Sequence, residues 1–269
     1  MEILDKVSET GPIRSRNEDA VTYINHPKNS KIKLFAVADG MGGKEFGEVA
    51  SNYTINEVSK WFIKKDLAII NDNERCVSLL KRLIKRINKN LILEYGENKL
   101  GTTLTLAIKN KSNTIVVNVG DSRCYTYKND ELIQVTEDDS DVWFYHKYGD
   151  VLKEDLRYFS TSNFINACVG LSDELCKVSK YIISNDYDIL LLLTDGVTDL
   201  ITDKKIKNII RKSKSEEILN KLIYEAINVD QHLFIPFRLK KKYLASYTVP
   251  YTGRDNASGV IYIKKKNNV

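Results

Sequence analysis

Lys33-Leu34-Phe35-Ala36-Val37-Ala38-Asp39-Gly40-Met41-Gly42-Gly43 is the stretch that orders the rest of the chain. Six residues rich in apolar side chains predict a buried strand, and the glycines after Asp39 predict a turn that exposes its backbone. A carboxylate at the end of such a strand loses hydration, so it needs a cation or hydrogen bonds in return. The pattern recurs. Asp188 to Leu193 is an apolar strand that runs into Thr194-Asp195-Gly196, and Gly253-Arg254-Asp255-Asn256 leads into a strand from Ala257 to Ile263.

Around these three points short strands alternate with helices. Gly47 to Lys64 reads as a helix. Asn73 to Tyr95 does so more clearly, because Val77, Leu80, Ile84, Ile87 and Leu91 recur every three or four residues and Gly96 follows as a stop. Thr102 to Ile108 and Thr114 to Val119 are extended. Ser122 to Tyr127 and Glu131 to Val135 bracket Lys128-Asn129-Asp130 as a hairpin turn. Ser215 to Asn228 is helical, with Ser213-Lys214-Ser215-Glu216 resembling a capping box at its start. Helices at both ends of a strand-rich middle predict an α+β fold with antiparallel sheets in layers, read as one domain over residues 1–269.

Composition narrows the function classes. Lys and Arg number 41 against 36 Asp and Glu, a net charge of +5, with the lysines spread along helices as a solvated face rather than gathered into a nucleic-acid footprint. No apolar run approaches the roughly 18 residues of a membrane span, and the acidic N-terminus has no secretory apolar segment, so a cytoplasmic protein is expected. Cys76, Cys124, Cys168 and Cys176 form no CxxC pair, and His26, His146 and His232 have no HxxxH spacing. Zinc enzymes and histidine-based triads have little to work with. The candidate chemistry lies in the carboxylates Asp39, Asp195 and Asp255, with Asp121 in Val119-Gly120-Asp121-Ser122-Arg123 and the pair Glu18-Asp19. Oxygen ligands without His or Cys suit hard cations such as Mg²⁺ or Mn²⁺.

Arg14-Ser15-Arg16-Asn17-Glu18-Asp19, Phe35 to Gly43, Gly101-Thr102-Thr103, Val119 to Arg123, Leu193-Thr194-Asp195-Gly196 and Asp255-Asn256 together resemble the ordered motifs of the metal-dependent protein phosphatases, the type 2C Ser/Thr phosphatases, in their bacterial form. The match spans Gly11 to Ile263. The resemblance implies an αββα sandwich of two antiparallel sheets flanked by helices. It implies a two-ion Mn²⁺/Mg²⁺ centre in which Asp39 bridges both ions and Asp195 and Asp255 hold the first. The Gly40 carbonyl and a carboxylate of Glu18 or Asp19 would serve the second, directly or through water. Arg14 falls at the phosphate-binding position, where a planar guanidinium matches two phosphate oxygens. A water between the ions would act as hydroxide on phosphorus, without a covalent phosphoenzyme. The implied substrates are Ser/Thr-phosphorylated proteins, products of a cognate kinase. Nucleic acid and membrane are not expected as partners, and a monomer is.

Three rival motif readings fail on detail. A P-loop needs glycine at Ala38 and Ser or Thr at Glu45; a dinucleotide fingerprint needs glycine at Glu45; a haloacid-dehalogenase motif needs aspartate at Leu193. A catalytically silent phosphatase-like module that binds phosphoproteins or a regulator remains the alternative of another class. Other readings stay open. Asp121 either holds a third, weaker ion, or pairs with Arg123 or caps its turn. Met41 stands where eukaryotic relatives carry histidine. Lys44 is a phosphate-side cation or a surface lysine. Residues 136–176, with Trp143, Phe144, Tyr145, Tyr148, Tyr158 and Phe159, resemble the family's flap, as a substrate-contacting lid or a satellite apolar cluster. Residues 229–252, with Lys240-Lys241-Lys242 among aromatics, read as an insertion.

Overall fold

The computed structural model describes residues 2–42, 47–149, 151–158, 164–228 and 255–264. The expectations for Gly43, Lys44, Phe159 and residues 229–252 lie outside the described residues. In chain order, β1 (Glu2–Glu9), β2 (Ala20–His26), β3 (Asn29–Ala38) and β4 (Gly40–Met41) lead into α1 (Gly47–Lys64), α2 (Leu67–Asn71) and α3 (Asn73–Tyr95). Then come β5 (Gly101–Thr102), β6 (Leu104–Lys109), β7 (Asn113–Val119), β8 (Arg123–Lys128) and β9 (Glu131–Gln134). They are followed by α4 (Asp141–Lys147) and a 3-10 turn (Lys153–Tyr158). The described chain closes with β10 (Ser179–Ser184), β11 (Ile189–Leu193), α5 (Asp195–Thr198), α6 (Asp203–Lys212), α7 (Ile218–Ile227) and β12 (Ala257–Lys264).

Two five-stranded antiparallel sheets result, ordered β1-β12-β11-β8-β9 and β10-β7-β6-β3-β2. The apolar strands are buried on both faces because each serves two layers. In β11, Leu190 and Leu192 point between the sheets, while Ile189, Leu191 and Leu193 pack outward under α5, α6 and α7. In β3, Phe35 and Val37 meet Leu190, Leu192, Val260 and Tyr262 across the sandwich, while Leu34, Ala36 and Ala38 pack outward against α1 and α3. The two-residue period of a strand therefore divides one hydrophobic run between two cores. This is the αββα sandwich.

Local chemistry explains the element ends. Asp72 caps α3 by accepting from the Arg75 amide at 3.0 Å, and Gly96 ends it at φ +90°. Asn129 and Asp130 both take positive φ, the requirement of a two-residue hairpin turn between β8 and β9. The capping box expected at Ser213 does not form: Ser215–Glu217 make a 3-10 turn and no side chain caps α7. The extended run from Thr102 is broken at Thr103, whose amide donates to the Asp39 carbonyl at 2.8 Å.

Candidate active site

All the motif carboxylates except Asp19 reach one cleft at the end of the sandwich. It is a cavity of about 740 Å³ lined by Arg14, Glu18, Asp39, Gly40, Met41, Thr103, Asp121, Arg157, Asp195, Asp199 and Asp255, among others. A second cavity, about 560 Å³ between α7 and β1, is lined by Glu9, Glu216, Glu217 and Lys221 among others, and none of the motif carboxylates reaches it.

Asp39 is delivered by β3 and pinned through its backbone. Its amide donates to Thr103 Oγ1 at 2.9 Å, and its carbonyl accepts from the Thr103 amide and the Thr102 hydroxyl. Gly40 must be glycine because a Cβ there would stand 2.2 Å from the Gly47 carbonyl oxygen and 2.5 Å from that of Glu18. That close approach brings the N-terminus of α1 to the site, where a Cβ on Gly47 would stand 2.6 Å from Glu18 Oε1. A Cβ at Gly42 would press on the backbone of Lys99 and Leu100.

Glu18 and Asp19 divide their duties. Glu18 lines the cleft, and its backbone ties three segments together: its amide donates to Asn256 Oδ1 at 2.8 Å, and its carbonyl accepts from the Gly40 amide and the Ser51 hydroxyl. Asp19 lies beneath, only 7% exposed, accepting from the Thr194 hydroxyl at 3.0 Å. Asp195 starts α5. Gly196 beside it packs so closely on the Asn256 carbonyl that a Cβ would stand 1.9 Å away. Asp255 takes the Arg14 guanidinium, Nη2 to Oδ2 at 2.8 Å.

Asp121 enters the cleft after Gly120, whose φ of +103° turns the chain. It does not pair with Arg123. That arginine makes a buried two-pronged contact with Asp138, at 2.9 and 2.6 Å. Two charged cleft residues, Asp199 and Arg157, lie outside the sequence motifs. Asp199 lies one turn beyond Asp195, its amide donating to the Asp195 carbonyl at 2.8 Å. The i, i+4 spacing of two aspartates in Asp195 to Asp199 was the available signal. Arg157 comes from the 3-10 turn in the flap-like segment and carried no local signal. In that segment Trp143 packs on Val142, Val151 and Leu156 as a small satellite cluster. Phe144 and Tyr148 lie exposed on the surface with ring centroids 4.3 Å apart.

The electrostatics are those of crowded, dehydrated acids. Burial and the neighbouring carboxylates push Asp39, Asp19 and Asp121 well above the ordinary aspartate range. Burial raises Asp195 as well, and burial together with Asp195 lifts Asp199 to about 7. Among the described residues no three His, Cys, Asp or Glu side chains form a ready cage for an ion. Asp19 Oδ1 and Asp195 Oδ1 are nonetheless buried without any hydrogen-bond partner. An all-oxygen donor set with orphaned oxygens and excess negative charge fits hard divalent cations.

None of the four cysteines lines the cleft, and burial pushes Cys76 and Cys168 up to about 12 and Cys176 to about 11, so none is poised as a nucleophile. Among the described residues no helix is long and apolar enough to cross a membrane.

Known proteins resemble this chain in sequence and in fold. The serine/threonine phosphatase stp of Listeria welshimeri is 32% identical over 213 residues, 77% of this chain and 82% of that protein. The structure of serine/threonine phosphatase Stp1 from Staphylococcus aureus superposes with a TM-score of 0.82 at 26% identity, covering 99% of this chain and 96% of that one. The catalytic domain of serine threonine protein phosphatase PstP, solved in complex with two manganese ions, has the same fold at 23% identity and a TM-score of 0.71, over 97% of each chain. The family model for protein phosphatase 2C matches residues 14–222, and the chain belongs to that family.

Proposed function

We propose that this chain is a protein serine/threonine phosphatase that hydrolyses phosphomonoesters of phosphoproteins with the help of Mn²⁺ or Mg²⁺. The observation that carries the reading is the cleft in which Asp39, Asp195, Asp255 and Glu18 gather beside Arg14. The similarity to named Ser/Thr phosphatases, one of them solved with two manganese ions, supports it.

In this reading Asp39, Asp195, Asp255, Glu18 and the Gly40 carbonyl hold two ions. Asp19 sits behind them and orients Thr194, whose hydroxyl in turn accepts from the Ser258 amide. Asp121, with Asp199 on the same wall, offers a weaker third site. Divalent cations bound there supply a water nucleophile active near neutral pH and offset the charge of the phosphoryl group. The chain's own residues do the rest. Arg14 presents a planar fork to two phosphate oxygens, and Asp255 at 2.8 Å fixes one of its prongs. Thr103 holds the Asp39 backbone rigid, so the carboxylate meets its partners without reorganisation. Water adds to phosphorus, the ester P–O bond breaks, and the serine or threonine oxygen leaves with a proton.

Hydrolysis of a chromogenic aryl phosphate and of a phosphothreonine peptide, with Mn²⁺ and with excess chelator, tests the reading. Turnover with Mn²⁺ that disappears in chelator supports it. Full turnover in chelator, or none with Mn²⁺ on either substrate, overturns it. Arg14→Ala should raise KM about tenfold or more, as loss of a charge-assisted contact does, with Mn²⁺ affinity by calorimetry nearly unchanged.

A further inference from the structure

Among the described residues Arg14 and Arg157 line the cleft and Arg123 lies buried behind it, and their donors are used differently. Arg14, half-exposed, is engaged by Asp255. Arg123 is buried and spends its fork on Asp138. Arg157 is also buried, 9% exposed, and lines the cleft, yet its Nε–H has no hydrogen-bond partner. Asp199 is the carboxylate whose field favours its charge most, while burial and the positive charge of Arg123 oppose it. Among the described residues no ion pair joins Arg157 to Asp199.

A buried guanidinium with an unmet N–H is costly, since the group has given up water for nothing in return. The position tells what could repay it. Arg157 borders the same space as Arg14 but comes from the flap-like turn rather than the N-terminal loop. A phosphomonoester dianion has more acceptor oxygens than one half-engaged guanidinium can satisfy, and two arginines from separate segments would fix its orientation as well as its charge.

We propose that Arg157 is a second phosphate-binding residue, donating from the flap-like turn to the phosphoryl group that Arg14 meets from the other segment. This rests on the phosphatase reading above. It gives the flap-like segment a direct hold on the substrate through a residue that no sequence motif marked.

The test compares wild type, Arg157→Gln and Arg157→Lys, all loaded with Mn²⁺. Inorganic phosphate is the probe, its Kd measured by calorimetry and its Ki against aryl phosphate hydrolysis. For Arg157→Gln the phosphate Kd, the Ki and KM should each rise on the order of tenfold, the scale of one lost charge-assisted contact. Mn²⁺ affinity should stay within about twofold, since the residue would touch phosphate and not the ions. Arg157→Lys keeps the charge and loses the planar fork, so it should fall between the two. If Arg157→Gln does not fold, the lysine variant carries the test. A phosphate Kd unchanged in the folded variants overturns the proposal. So does a loss of Mn²⁺ affinity and melting temperature that Asp199→Asn restores in the same chain, because Arg157 would then be a counter-ion. Absence of turnover in the wild type would overturn the phosphatase reading, while the phosphate calorimetry would still decide the role of Arg157.

Discussion

The two ends of the sandwich handle buried charge in opposite ways. At the end away from the cleft, Lys33 is buried with its ammonium on Glu2 at 3.1 Å, Asn25 at 2.9 Å and the Ser30 carbonyl at 2.5 Å. Tyr262 donates to Glu2 at 2.9 Å, and Thr114 joins Tyr187 and Asn185. Burial works against the Glu2 carboxylate, but the hydrogen bonds from Lys33 and Tyr262 win and hold it below the usual range. At the cleft end the same strands deliver acids to one another, and burial plus mutual repulsion raise Asp39, Asp121 and Asp195. One end is a finished network that locks the sheets together. The other is left incomplete in the way that binding cations and phosphate would complete it.

The most damaging way to probe that contrast is Asp39→Asn. Turnover should fall more than about 100-fold, beyond the range seen when only a ligand's support is lost. In chelator the melting temperature should rise, because a crowded acid has gone. A loss of turnover below about tenfold would break the contrast. Next comes the ion itself. Mn²⁺ at about 100 times its Kd should stabilise the folded protein by about 2.7 kcal/mol, read as a higher melting temperature than in chelator. The same ion should leave the melting temperature of Asp39→Asn much less changed.

Lys33→Met probes the finished end. It should cost about 1–3 kcal/mol, the penalty for leaving buried acceptors unmet, and lower the melting temperature by roughly 2–4 °C per kcal/mol. Turnover should stay within about twofold of wild type, since this network lies away from the cleft. A large loss of turnover would mean that the ends are coupled. Asp139 lies at the boundary. It accepts from the Gly120 amide at 3.0 Å, yet burial still lifts it to about 6. Its folded value lies above the ordinary 3.8, so its contribution is most favourable below about pH 4 and is lost as pH rises through about 6. Asp139→Asn should remove that slope and leave the variant about 1 kcal/mol more stable at pH 7, after allowance for solvent screening. Melting curves at pH 4, 5, 6 and 7 would show it; parallel pH profiles would count against it.

Much of the fold was legible because its signals are local. Val77 to Leu91 repeat at helical spacing, and α3 follows them from Asn73 to Tyr95. The run Ile189 to Leu193 has the length and composition of a doubly covered strand, and β11 is one. The edge strands β1 and β10 were not read. Their residues are mostly half-exposed, and Glu2–Glu9 and Ser179–Ser184 mix charge and apolar groups without a clear period. Edge strands owe their conformation to pairing, here with β12 and β7.

The sequence by itself determined which chemistry the chain carries. Strand-end aspartates beside glycine, without usable histidine or cysteine, left oxygen ligands and hard cations as the consistent reading. Tertiary structure decided which of those groups meet. Arg14 reaches Asp255 across 241 residues, and Thr194 reaches Asp19 across 175. Glu18 faces the cleft and Asp19 lies under it, although they are adjacent in the chain. Asp138 rather than Asp121 took Arg123, and Arg157 entered from a turn that no motif marked. Local spacing fixes the face on which a side chain emerges, while the partner it finds there depends on how two sheets and three flanking segments close around it.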